Sequence, residues 1–238
     1  MAELITNETY ELTVKNIANS ILPDCDEVFF EVGYFYFSGF EQIYEKLRDV
    51  KVKILIGIKY DDTVGSSVTS VSNSSIKENY FDKLKIDISD TDILDRPLGI
   101  ESYKLFIEKL KNGTMEIRCH PKKNDHSKYF IFKHKKERSQ GGLSLGSVLA
   151  GSSNFTKSGF LTNLENNYLF SDKSMFETHT KQFNDRWENS VEIIDDKSFE
   201  EFEEKVIKKT WISKLPPPYH LFVKMLDEYF KEKKILVF

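Results

Sequence analysis

The chain has 238 residues, 39% of them hydrophobic and 13% aromatic, with a formal net charge of −4. That is enough apolar material for one large domain, or one domain with an appendage, and the mild negative charge argues against wholesale coating of nucleic acid. No apolar run approaches the roughly 18 residues of a membrane span. The opening MAELITNETYELTVKN lacks the basic end and apolar stretch of a signal peptide, so a cytoplasmic location is expected.

In chain order, TYELTVKNIANSIL (9–22) reads as a helix ended by Pro23, and DEVFFEVGYFYF (26–37) as a buried strand. Ser38 is placed to cap the next helix, SGFEQIYEKLRD, whose Phe40, Ile43, Tyr44 and Leu47 share a core-facing spacing. The strand VKVKILIGI (50–58) follows. Helix, strand, helix, strand is the order of a layered α/β domain.

Residues 61–75, DDTVGSSVTSVSNSS, read as a polar loop, and GIESYKLFIEKLKNG (99–113) as an amphipathic helix with a glycine stop. TMEIRCH (114–120) and HSKYFIFKH (126–134) read as successive strands. KKERSQGGLSLG (135–146) has hairpin chemistry, with Gly141 and Gly142 at its tip, before the strand SVLAGSSNFT. The strand NNYLFSD and the helix SMFETHTKQFNDRWENS complete the domain. From about residue 195 the chain turns acidic and helical, with PPPY (216–219) between two helical stretches, and it stops at the apolar KKILVF. A domain over 1–195 and a helical extension over 196–238, connecting to a further domain in a longer protein, are therefore expected.

Cys25 and Cys119 stand far apart, with no CxxC or Cys/His cluster, and read as buried thiols. Charge is uneven. Residues 118–138 carry eight Lys and Arg against Asp125 and Glu137, a local excess of six. In that stretch lies HSK, where His126 and Lys128 occupy alternate positions at the head of an apolar run and so share one face of a strand.

The tripeptide HxK occurs four times, at 120, 126, 134 and 179, and context separates the copies. HTK lies in a helix, where alternate residues diverge; HPK has a proline that spoils a central strand; HKK lies at a polar hairpin edge. Only HSK opens a strand that runs into the core. GSSN at 151–154 repeats the design, with Ser152 and Asn154 on one face after a glycine, and Glu165 stands eleven residues beyond Asn154. A His, a Lys, an Asn and a carboxylate converging at strand ends can bind a phosphate and attack it.

These motifs resemble the phospholipase D superfamily, whose signature is HxK, four residues, Asp, then GSxN and a downstream Glu. His126, Lys128, Gly151, Ser152, Asn154 and Glu165 match position by position; the departures are Lys133 where the family has Asp and an interval from HSK to GSSN longer than usual, which the Gly-rich hairpin can absorb. EVGYFYFSGFEQIYEKL and VKVKILIGI also resemble the opening of such domains in metal-independent restriction endonucleases and at the N-termini of some bacterial helicases. The resemblance implies an α/β fold, a phospholipase D-like mixed β-sheet sandwiched between helices, with the helical C-terminal extension beyond it.

It also implies the chemistry. His126 would attack phosphorus to form a covalent phosphohistidine, Lys128 and Asn154 would hold the non-bridging oxygens, Glu165 would accept a hydrogen bond from the imidazole, and Ser152 would complete the hydrogen bonding. A second histidine must protonate the leaving oxygen, and this chain has one credible motif, so a homodimer with a composite site is expected. No metal or other cofactor is implied. Lys122, Lys123, Lys135, Lys136 and Arg138 become candidate backbone contacts for nucleic acid, DNA favoured, and no membrane partner is expected. His120, His134, His179 and His220 are left as structural.

Three functions stay open at this point: a nuclease of a restriction or defence system; a decayed module that docks and dimerises on DNA within a larger helicase-type protein; and a lipid phosphodiesterase. The bland alternative, in which His126 and Lys128 are an edge pair and GSSN a turn, is disfavoured by the spacing to Glu165.

Overall fold

The computed structural model describes residues 2–57, 88, 96–120, 125–136, 144–194 and 199–200, together with 204, 222, 225, 226, 228 and 229. The expected loop at 61–75, the hairpin tip, Lys122, Lys123, Arg138, His220, the boundary near 195 and most of the C-terminal extension lie outside the described residues.

Eight strands form one mixed sheet in the order β1-β7-β6-β5-β2-β3-β4-β8. They are β1 Ala2–Ile5, β2 Cys25–Val32, β3 Lys51–Ile56, β4 Met115–Cys119, β5 Lys128–His134, β6 Gly146–Gly151, β7 Asn167–Phe170 and β8 Val191–Glu192. β2, β3 and β4 run parallel, while β5, β6, β7 and β1 continue antiparallel from β2. The helices are α1 Val14–Ile21, α2 Phe37–Ile43, α3 Pro97–Lys111, α4 Lys157–Leu161 and α5 Lys173–Glu188.

Phe29 and Phe30 are apolar at successive positions because β2 is a central strand covered on both faces there. Phe30 meets Phe130 and Phe155 edge-on, with centroids 5.2 and 4.8 Å apart, in the core beneath α1 to α4. Phe29 points the other way and stacks on Phe183 of α5 at 4.8 Å, where Phe176 and Trp187 cover Leu55, Ile131 and Val148. Each such buried side chain contributes about 1.5–3 kcal/mol. Thr13, Thr156 and Asp172 cap α1, α4 and α5 by accepting backbone N–H groups, and Gly113 at φ +68° follows the end of α3.

Several expected boundaries shift. The helix expected from residue 9 begins at Val14, because the chain first makes the edge strand β1 and turns at Asn7. Ser38 is not the cap of α2; that helix starts at Phe37 with Tyr36 before it, and Tyr36 N–H donates to the Phe155 carbonyl at 3.1 Å. β1, β8 and the five-residue α4 are too short to stand out in a hydrophobic pattern. Both cysteines are free and buried, and burial pushes each thiol up to about 12.

Candidate active site

One end of the sheet collects the motif residues. Val32 at the end of β2 pairs with Lys128 at the start of β5, Tyr129 with Ala150 on β6, and Gly151 with Asn167 at the start of β7. The two motifs therefore leave adjacent strands at the same edge. β5 begins at Lys128, so His126 is not on the strand as the alternation suggested, but exposed in the loop before it. Lys128 Nζ donates to the His126 carbonyl at 2.9 Å.

Gly57 lets that loop approach. A Cβ on Gly57, just past β3, would lie 1.7 Å from the Asp125 carbonyl oxygen, whereas one on Gly33 would be 3.6 Å from His126 Nδ1, an ordinary contact. Asp125 Oδ1 accepts the Ser127 N–H at 2.8 Å, closing a tight turn around His126. On the same turn, Arg186 of α5 donates through Nη1 to Asp125 Oδ2 at 3.0 Å, to Ser127 Oγ at 3.1 Å and to Glu31 of β2.

Glu31 is buried, and its surroundings shape the titration of this cluster. Burial, helped by a hydrogen bond with Asp125, lifts its carboxyl to about 7 against the pull of Arg186. Burial alone would also raise Asp125, but its hydrogen bonds with Ser127 and Glu31 and the charge of Arg186 outweigh it and hold the carboxyl below its usual range.

The second motif is braced separately. The strand ends at Gly151, where a Cβ would lie 2.3 Å from the Asn166 carbonyl, so Ser152 and Asn154 follow β6 instead of alternating along it. Ser152 Oγ donates to the Glu165 carboxylate and accepts the Asn166 N–H at 3.0 Å. Asn167, almost fully buried, accepts the Ser153 N–H at 3.2 Å and donates to Ser153 Oγ at 2.9 Å. Asn154 Oδ1 is buried without a hydrogen-bond partner among the described residues. The loop carrying Glu165 is tied to the start of the chain, since Glu165 N–H donates to the Thr6 carbonyl at 3.1 Å and Asn7 Nδ2 to those of Gly159 and Asn163 at 2.9 Å.

The structure thus brings His126, Lys128, Ser152, Asn154 and Glu165 to one sheet end. The expected bond from the imidazole to Glu165 is not formed among the described residues; Glu165 is engaged by Ser152. Lys135 and Lys136 do not join the site. They follow the far end of β5, roughly 20 Å along the strand at about 3.3 Å per residue, and Lys135 Nζ donates to the Pro23 carbonyl at 2.8 Å. Lys133 pairs with Glu27 across the sheet at 3.1 Å, near the same far end and on the α5 face, opposite to that of Lys128. His134 is structural, held between Ser144 O at 3.0 Å and Ser147 Oγ at 3.4 Å. Arg186, Asp125 and Asn167 belong to no sequence motif and enter the site only through the fold. Glu31 does too, although a charge inside the apolar FFEVG could have flagged it.

A family model described as cardiolipin synthase, PLD-like domain, matches residues 30–187. No curated protein matches the chain. Among solved structures, Nuc, a phospholipase D family member from Salmonella typhimurium, is 15% identical with a TM-score of 0.47, over 81% of this chain and 97% of Nuc. NucT from Helicobacter pylori is 15% identical with a TM-score of 0.42, over 81% and 98% of the two chains. Phosphatidylserine synthase from Haemophilus influenzae is 12% identical with a TM-score of 0.50, over 98% of this chain and 46% of that one. At 12% identity this last likeness is one of fold alone.

Proposed function

The chain belongs to the phospholipase D-like family, and from that premise we propose that it is a metal-independent phosphodiesterase that cuts nucleic acid through a covalent phosphohistidine on His126, in a restriction or defence context. The observation that carries this reading is the meeting of both motifs at one edge of the sheet, with Ser152 bonded to Glu165 and Asn154 Oδ1 without a hydrogen-bond partner among the described residues.

His126 Nε2 attacks phosphorus and the P–O bond to the leaving strand breaks; water then attacks the phosphohistidine and restores the imidazole. Lys128 and Asn154 stabilise the charge that grows on the non-bridging oxygens. The proton for the leaving oxygen comes from the His126 of a second copy, in a homodimer with a composite site. Nucleic acid is favoured over lipid by the basic surplus of the 118–138 stretch, of which Lys128 stands at the motif.

The alternative, a DNA-docking module that no longer cuts, draws on Lys133 in place of the family aspartate. The ion pair of Lys133 with Glu27 accounts for that lysine locally and weakens the alternative. The test is cleavage of plasmid DNA and of labelled single-stranded DNA and RNA in excess EDTA by the wild type and by His126→Ala. Cutting by the wild type alone supports the proposal; binding without cutting by either protein transfers support to the docking module.

A further inference from the structure

We propose that Arg186 is a positioning residue for His126: from α5, it fixes the turn Asp125–Ser127 that carries the nucleophile. This inference rests on the phosphodiesterase reading above. His126 precedes β5, so the ladder between β5 and its neighbours does not hold its backbone. The residues immediately before and after it are both held by one guanidinium, at 3.0 Å from Asp125 Oδ2 and 3.1 Å from Ser127 Oγ.

The same guanidinium is itself held by Glu31, whose side chain is only 2% exposed on β2. All three contacts come through the Nη1 end of the guanidinium, which is always charged and planar, while a lysine offers a charge on a flexible stem. A purely structural role, pinning α5 to the sheet, would need only the Glu31 bond. That helix is already seated by Phe176, Phe183 and Trp187, with the Phe183 ring stacked on Phe29. Contacts to both neighbours of His126 are what a pin would lack and a positioning device requires.

The arrangement also gives the motif support from outside its own strand. Lys133, at the position of the family aspartate, faces away and is occupied with Glu27. Two elements far apart in sequence, β2 at residue 31 and α5 at 186, converge on that turn instead.

The experiment compares the wild type with Arg186→Lys, with the double variant Glu31→Leu/Arg186→Met, which removes the buried pair and leaves the Asp125 carboxylate to its Ser127 hydrogen bond alone, and with Asp125→Ala, which frees the turn but leaves the Glu31 to Arg186 bond in place. Two quantities are read: kcat and KM on the nucleic acid that the wild type cuts, and amide hydrogen exchange at Ser127 against Phe132 and Val148. We expect the double variant and Asp125→Ala to lose about 100-fold in kcat, the scale of an ångström-sized misplacement, with KM within about twofold. Ser127 should exchange faster while Phe132 and Val148 stay protected, and Arg186→Lys should recover only part of the loss.

Unchanged kcat in both variants of an active protein, or Ser127 protected as in the wild type, overturns the proposal. If the wild type cuts nothing, the phosphodiesterase reading falls and the exchange at Ser127 alone decides this one. If the double variant does not fold, kcat and Ser127 exchange in Arg186→Lys decide between the same two outcomes.

Discussion

Gly57→Ala adds one methyl group at the point where β3 meets the His126 loop. The new Cβ would stand 1.7 Å from the Asp125 carbonyl oxygen, 2.6 Å from its carbonyl carbon and 3.1 Å from its Cα, so the obstacle is backbone with no flexible tip to swing aside. Restoring an ordinary contact of about 3.4 Å requires the loop to retreat by roughly 1.7 Å, and ångström-scale misplacement of a reacting group costs on the order of 100-fold in rate. Overpacking of this kind destabilises by about 1–3 kcal/mol. Gly33→Ala is the matched control, since its Cβ meets the same loop at 3.6 Å, and neither glycine has a positive φ. The assay is metal-free phosphodiester cleavage by both variants, with thermal unfolding to confirm that each is folded. Gly57→Ala should lose roughly 100-fold or more in kcat and Gly33→Ala no more than about threefold, by the same positional argument. Equal activity of Gly57→Ala and the wild type would refute the claim that close approach of this loop sets His126, the proposed nucleophile.

Asn167→Ala strands the buried Ser153 N–H and should cost about 1–3 kcal/mol; urea unfolding measures it, and an unchanged midpoint would show that the amide finds another partner. Restoring the family residue by Lys133→Asp should not raise kcat. It sets a carboxylate opposite Glu27 and should cost roughly 1 kcal/mol or less, and a gain in activity would contradict the placement of Lys133 away from the site. Glu31 sets a pH dependence. Its carboxyl titrates near 7 in the folded protein against an ordinary 4.5, so between those values the folded state keeps a proton that the unfolded chain has released. Its contribution to stability is therefore complete below about pH 4.5 and is lost as pH rises through 7. Relative to Glu31→Gln, the wild type should lose stability from pH 5 to 8 in thermal melts, and a constant gap would remove the inference. Asp125, whose carboxyl is depressed, acts with the opposite sign and at lower pH.

Much of this protein was legible locally. HSK, GSSN and Glu165 point to the family because each motif is a run of neighbouring residues and Glu165 keeps the family's interval from Asn154. The strands around Phe29, Ile54 and Ile131 and the helices α3 and α5 follow from apolar periodicity, since a strand or helix of that length must bury one face or both. The basic surplus at 118–138 was equally plain, but its position was not. Lys135 and Lys136 share that surplus with Lys128, and seven residues of extended chain carry them to the far end of β5.

By itself, then, the sequence determined the layered α/β class and the motifs that mark the family, because both are encoded in neighbouring residues. Only the tertiary structure decided what holds those side chains. That Gly57 must lack a side chain, that Arg186 reaches both neighbours of His126, and that Asn167 clamps Ser153 all depend on which strands lie side by side. β5 lies against β2, nearly a hundred residues earlier in the chain, while α5 packs over both. The physical reason is that periodicity records whether a residue is buried but not against what. The partner is chosen by the order in which strands pair, a long-range choice that no local spacing contains.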